Sequence, residues 1–119
     1  ELSINLNLIV DMNGTVIQIN DSCEKILSYS KDELINSSFL DLVHPCDVEK
    51  TIEEMKQVSY GRVLESFENR FKSKSGEYID LRWSSSADKK TGLIYASAQN
   101  ITAKRQIEIE KDKQEQIIF

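Results

Sequence analysis

The spacing of apolar positions changes several times along the chain, and each change predicts an element. Leu6-Asn7-Leu8-Ile9-Val10-Asp11-Met12 and Thr15-Val16-Ile17-Gln18-Ile19 are two β-prone runs separated by Asn13-Gly14. That pair predicts a hairpin, because Asn and Gly both tolerate the positive φ that a tight turn requires. Asn20 or Asp21 can then cap a short helix over 22–27, and Asp21 stands three residues before Glu24, the spacing of a capping box. Ser30-Lys31-Asp32-Glu33 is a full capping box that opens a single helical turn. The stretch 36–42 reads as irregular. Pro45, the one proline, keeps His44 out of helical geometry and suits the first turn of the helix that follows. In that helix Val48, Ile52 and Met55 recur at i, i+4, i+7, which predicts an apolar stripe facing a core and an end before Gly61.

Beyond Gly61 the period falls to two. Phe67, Asn69 and Phe71 alternate with Glu68, Arg70 and Lys72, and Ile79, Leu81 and Trp83 alternate with Tyr78, Asp80 and Arg82. Alternation of this kind marks half-buried strands. Ser75-Gly76 turns the chain between them, and 88–92 form a second polar loop. The last strand, 93–101, sets Ile94, Ala96 and Ala98 on one side and Tyr95, Ser97 and Gln99 on the other. From Thr102 the pattern becomes helical and highly charged. Strands separated by a helical block predict an α+β fold with an antiparallel sheet.

Composition narrows the function classes. At 119 residues the chain has room for one domain. Hydrophobic residues at 39% and charged ones at 29% suit an ordinary globular core with a solvated surface. A net charge of -5 and a pI near 4.9 argue against a nucleic-acid reader, which carries a basic face. No apolar run approaches the roughly 18 residues that span a bilayer. Cys23 and Cys46 form no CxxC pair and read as free buried thiols. The chain begins Glu1-Leu2 and stops at Phe119 within a helical pattern, which predicts a segment of a longer protein.

Several segments together resemble the PAS family of sensory domains. Asp11-Met12-Asn13-Gly14-Thr15-Val16 followed by Asn20 resembles the family's first hairpin. Leu27-Ser28-Tyr29-Ser30-Lys31-Asp32-Glu33-Leu34 resembles its "GYS-x-EEL" segment, with Ser28 where glycine is usual. Leu42-Val43-His44-Pro45-Cys46-Asp47 resembles "LVHPDD", with Cys46 in place of an acid. Glu68-Asn69-Arg70-Phe71 resembles the "ENR[YF]" strand, and Ser75-Gly76-Glu77-Tyr78 stands where "DG-x-Y" is expected. Asn100-Ile101-Thr102 resembles the closing "DIT", with Asn100 replacing the aspartate.

The resemblance implies a five-stranded antiparallel sheet with helices on one face enclosing a cavity, followed by a C-terminal signalling helix. It divides the chain into a flank over 1–5, a sensor domain over 6–101 and a linker helix over 102–119 leading to an output domain. The implied role is a cytoplasmic sensory input domain of a two-component histidine kinase whose parent can be membrane-anchored. It would bind a small ligand, or relay a conformational signal, and would pair as a homodimer through the tail. A ligand-free dimerisation module and the input domain of a diguanylate cyclase are the alternatives. Ile52, Met55, Phe67, Asn69, Phe71, Leu81, Trp83, Ala96 and Ala98 are the expected cavity lining, and Asn100, Ile101 and Thr102 the expected relay to the tail, with Thr102 as its N-cap. Asn69 is the one polar residue on the inner face of its strand. It either bonds to backbone or a buried water, or points into the cavity to orient a ligand.

The chemistry-bearing residues do not assemble into a recognisable catalytic motif. GxSxG, HExxH and P-loop patterns are missing, and no enzymatic activity is expected of this segment. His44 is the only histidine and is expected to brace its loop, since a metal site needs several converging ligands. A haem-binding relative would carry an axial histidine on the helix after Pro45, and none stands between Cys46 and Gly61. The flavin-adduct branch needs a cysteine in an "NCRFL" helix, where this chain has Asn36-Ser37-Ser38-Phe39-Leu40. No cofactor is specified by the sequence. Glu53-Glu54 read as the solvated side of the helix.

Overall fold

The structure is a computed structural model, in which residues 5–103, 105, 107 and 109–111 are described. The chain forms β1 (Asn5–Asp11), β2 (Val16–Ile19), α1 (Ser22–Leu27), α2 (Lys31–Leu34), 3-10 turns at Phe39–Leu42 and Pro45–Asp47, α3 (Val48–Ser59), β3 (Leu64–Lys72), β4 (Tyr78–Asp88) and β5 (Leu93–Asn100). The strands make one antiparallel sheet in the order β2-β1-β5-β4-β3. The first and last strands therefore lie side by side within the sheet, and the helical block connects one edge strand to the other.

Local chemistry explains the small elements. The β1–β2 turn is held by Asp11, whose Oδ1 accepts from the backbone N–H groups of Asn13 and Thr15 at 2.9 and 3.0 Å. Only Gly14 has positive φ there, at 88°, so the Asn-Gly expectation holds for the glycine alone. A side chain at Gly14 would also press on Phe39, whose ring lies 3.2 Å from the place of a Cβ. In α2 the predicted capping box is complete: Glu33 N–H donates to Ser30 Oγ, and Ser30 N–H donates to Glu33 Oε1. Asp21, by contrast, makes no side-chain cap on α1, and its carboxylate pairs with Lys31 at 2.9 Å instead.

Both sheet edges are partly covered by the helical block. Val16 N–H donates to Ser37 O and Asn36 N–H to Val16 O, both at 2.8 Å, which occupies β2. On the far edge His44 N–H donates to Arg70 O at 2.8 Å. These bonds saturate backbone groups that would otherwise invite another strand.

The core lies between the inner sheet face and the helices. Leu6, Leu8 and Val10 of β1 meet Ala98, Ala96 and Ile94 of β5 in register, and Trp83 of β4 stands opposite both Ala98 and Phe67. Phe71 packs between Phe39 (ring centroids 6.2 Å apart) and Trp83 (5.3 Å). Burying each large apolar side chain is worth about 1.5–3 kcal/mol. The α3 stripe differs from expectation. Thr51 and Val58 are buried with Val48 and Met55 partly so, whereas Ile52 is 41% exposed. The helix is rotated from the predicted face, because burying Thr51 brings its hydroxyl to a polar partner on β3.

Candidate functional site

The interior polar group on β3 is part of a line of hydrogen bonds that crosses three elements. Asp47, in the turn before α3, accepts from Thr51 Oγ1 through its backbone carbonyl at 2.7 Å. Thr51 Oγ1 accepts from Asn69 Nδ2 at 3.2 Å, and Asn69 Oδ1 accepts from Trp83 Nε1 at 2.7 Å. All four residues are buried. Asn69 thus takes its partners from side chains rather than from backbone. Among the described residues, no buried side-chain nitrogen or oxygen lacks a partner.

Asp47 also anchors this line to the sheet edge. Its carboxylate accepts from Arg70 N, Nε and Nη2, each at 2.9 Å, and lies 3.7 Å from Lys50 Nζ. The Arg70 side-chain bonds hold the Asp47 carboxyl down at about 2, against the opposing effect of burial. The same contact holds the Arg70 guanidinium above its ordinary value. Consecutive residues of β3, Asn69 and Arg70, therefore hold α3 and the turn that precedes it.

Beside the line lies an apolar cavity of about 50 Å³ between α3 and the inner sheet face. Met55, Phe67, Asn69, Trp83 and Ala96 line it, together with Leu8, Val10, Phe39, Thr51, Glu54, Val58, Leu64, Ser85 and Ile94. Four expected residues stand elsewhere. Ile52 faces outward, and Phe71, Leu81 and Ala98 are sealed in the packed core around Trp83. Alternation along the strands chose the correct face, but not which end of that face the indole fills. Thr51 and Val58 escaped notice because their helix face reads as mixed; the i, i+7 spacing of Thr51 and Val58 with Met55 between them was the available signal. Glu54, expected on a solvated face, is partly buried at the cavity.

The junction to the tail is also polar. Asn100 Oδ1 accepts from Thr102 N–H at 3.0 Å and from Thr102 Oγ1 at 2.7 Å. Thr102 Oγ1 in turn accepts from Asp80 N–H at 2.9 Å, and buried Ile101 donates its N–H to Asp80 O at 2.9 Å. Asn100, rather than Thr102, supplies the side-chain oxygen at the start of the tail. Arg105 and Arg82 both donate to the Glu68 carboxylate on the outer sheet face. Burial acts to raise the Glu68 carboxyl, but these two arginines outweigh it and hold the group below its ordinary range. Thr102, Ala103, Arg105, Ile107 and residues 109–111 are helical, and the rest of the expected tail helix lies outside the described residues.

The remaining candidates have structural roles. His44 Nδ1 accepts from Cys46 N–H at 3.0 Å, and its ring packs 4.5 Å from that of Tyr78. Cys23 is fully buried, and that burial pushes its thiol up. Cys46 is exposed, contrary to expectation, because the 3-10 turn points position 46 away from the core. No helix among the described residues is long and apolar enough to cross a membrane.

This geometry has close counterparts among known folds. A domain of a sensory box sensor histidine kinase/response regulator from Geobacter sulfurreducens superposes with a TM-score of 0.71 at 19% identity, covering 84% of this chain and 86% of that one. The PAS domain of the Cronobacter turicensis RpfR quorum-sensing receptor, in complex with BDSF, gives 0.71 at 16% identity, over 86% and 98% of the two chains. The Drosophila melanogaster Cycle PAS-B domain with bound ethylene glycol gives 0.69 at 21%, over 80% and 96%. No curated protein sequence matches the chain. The family model described as "PAS fold" matches residues 16–96, well over half the chain. With the sheet order and the helical block already in place, that match makes this chain a member of the PAS family, a sensory signalling domain.

Proposed function

We propose that this PAS domain is the input module of a two-component sensor histidine kinase, and that it converts occupancy of its inner cavity into a movement of the tail. The observation that carries the reading is the buried line Asp47–Thr51–Asn69–Trp83, which ties the helix over the cavity to the strands beneath it. A ligand that displaces α3 must break or stretch this line, so its differential affinity for two arrangements becomes a bias on the sheet. From β4 the displacement reaches Asp80 and then Ile101 and Thr102, where the tail begins. The likeness to a histidine-kinase domain and to PAS domains with bound BDSF or ethylene glycol supports the reading. In this reading the domain is cytoplasmic, works as a homodimer, and performs no catalysis itself.

The test uses the full-length parent. Asn69→Leu is expected to uncouple autophosphorylation from the cue while leaving basal phosphoryl transfer intact. A parent whose sequence after residue 119 carries no phosphoacceptor-histidine domain would sink the kinase assignment. A cyclase motif there would identify the diguanylate cyclase alternative.

A second reading, a ligand-free dimerisation and relay module, draws support from the cavity volume of about 50 Å³, which the packed aromatics leave small. Native mass spectrometry of freshly purified protein separates the two. A dimer carrying a stoichiometric small molecule supports sensing, and a dimer without one supports the relay module.

A further inference from the structure

The cavity's lining restricts what it can hold. Its walls are formed mainly by Phe39, Met55, Val58, Phe67 and Ile94, and its buried polar neighbours are Thr51, Asn69 and Trp83. Each of those three already has a partner inside the protein, and only the second Nδ2 hydrogen of Asn69 is uncommitted. Thr51 Oγ1 donates to Asp47 O and accepts from Asn69, and Asn69 Oδ1 receives the Trp83 N–H. The indole has no second donor to offer. The other polar lining groups, Glu54 and Ser85, are partly exposed to solvent. A guest hydroxyl or charge among these mostly apolar walls would leave water and recover few of its hydrogen bonds, an unfavourable exchange.

Volume sets the second limit. An apolar cavity of about 150 Å³ holds a benzene or a xenon atom. The space here is about 50 Å³, sufficient for a few heavy atoms. Met55 is the adaptable wall: its side chain is unbranched and polarisable, it is only partly buried, and its Cε lies 3.7 Å from the place of a Gly14 Cβ.

Resting on the sensory reading above, we infer that the ligand of this cavity is a small, uncharged, apolar molecule of a few heavy atoms, admitted beside Met55. Sugars, nucleotides and planar macrocycles are rejected by volume, and carboxylates by the Glu54 carboxylate in a lining that holds no Lys, Arg or His.

Ethane and methanol, matched in size and differing by one hydroxyl, test this on the 119-residue chain. Amide chemical shifts are followed by NMR while each is titrated. Ethane is expected to shift Val58, Phe67 and Ala96 saturably, and to bind about tenfold more tightly than methanol, the factor set by one unpaired hydroxyl. Ala96→Leu and, independently, Met55→Phe fill the space and should abolish the shifts while the remaining amide dispersion persists. Methanol binding as tightly as ethane at the same amides overturns the apolar class and leaves the sensory reading standing. Absence of saturable shifts with both probes overturns the inference and removes the ligand-binding form of that reading as well. Shifts that persist in both filled variants place the guest elsewhere and overturn the site.

Discussion

Asp47 and Arg70, 23 positions apart, form a bidentate pair in which Arg70 also donates its backbone N–H to the same carboxylate. Asp47 is 3% exposed, so its charge has few substitutes for these bonds. The pair fastens the start of α3 to the outermost strand of the sheet.

Removing one partner should be costly because the other is left desolvated. Arg70→Ala is expected to destabilise the domain by about 2–3 kcal/mol, less than a fully buried pair because Arg70 itself is 41% exposed in its side chain. The urea midpoint measures this, and a change under about 0.5 kcal/mol would contradict the role assigned to the pair.

The same pair gives a pH dependence with a definite sign. The folded Asp47 carboxyl sits at about 2, below its ordinary 3.8. The unfolded chain therefore binds more protons at low pH, and stability rises with pH through that window. The contribution is complete above about pH 4 and disappears as pH falls through about 2. In Asp47→Asn this segment of the stability–pH curve should flatten; an unchanged acid limb in the variant would assign it to other carboxylates, such as Glu33, which Lys74 likewise holds at about 2.

Asn69 and Trp83 should be energetically coupled. Trp83→Phe leaves Asn69 Oδ1 without its 2.7 Å donor, and Asn69→Leu leaves the indole N–H without its acceptor. A double-mutant cycle is expected to return about 1 kcal/mol of interaction. Additive single effects would mean that the bond contributes nothing to stability.

The rotated face of α3 makes a comparison of two alanine variants informative. Val58 is 2% exposed and Ile52 is 41% exposed. Val58→Ala should cost about 1–3 kcal/mol and Ile52→Ala no more than about 0.5–1. The reverse order, read from thermal or urea unfolding, would restore the stripe suggested by the i, i+4, i+7 apolar spacing.

Glu68 connects the outer sheet face to Arg105. Glu68→Gln is expected to speed amide exchange at Arg105, whose N–H donates to Ile101 O at 2.9 Å, while global stability changes by less than about 1 kcal/mol. Equal exchange in the two proteins would show that the arginine does not hold the first turn of the tail.

Short-range signals were the legible ones. The Ser30–Glu33 box, the Gly14 turn, the period-two strands and the end of α3 before Gly61 all formed where residue order placed them, because each depends on neighbours within a few positions. The Asp21 cap failed for a long-range reason: Lys31 offers its carboxylate a full opposite charge.

Sequence alone thus determined most of the elements, the inward faces of β3, β4 and β5, and the family to which the motifs pointed. Tertiary structure decided which side of α3 meets the sheet, which partners satisfy Asn69, and how much room is left beside Met55. Those outcomes depend on how side chains distant in the chain fill a common volume. An alternating pattern reports that Trp83 faces inward, but only packing against Phe71 and Ala98 determines which space the indole removes.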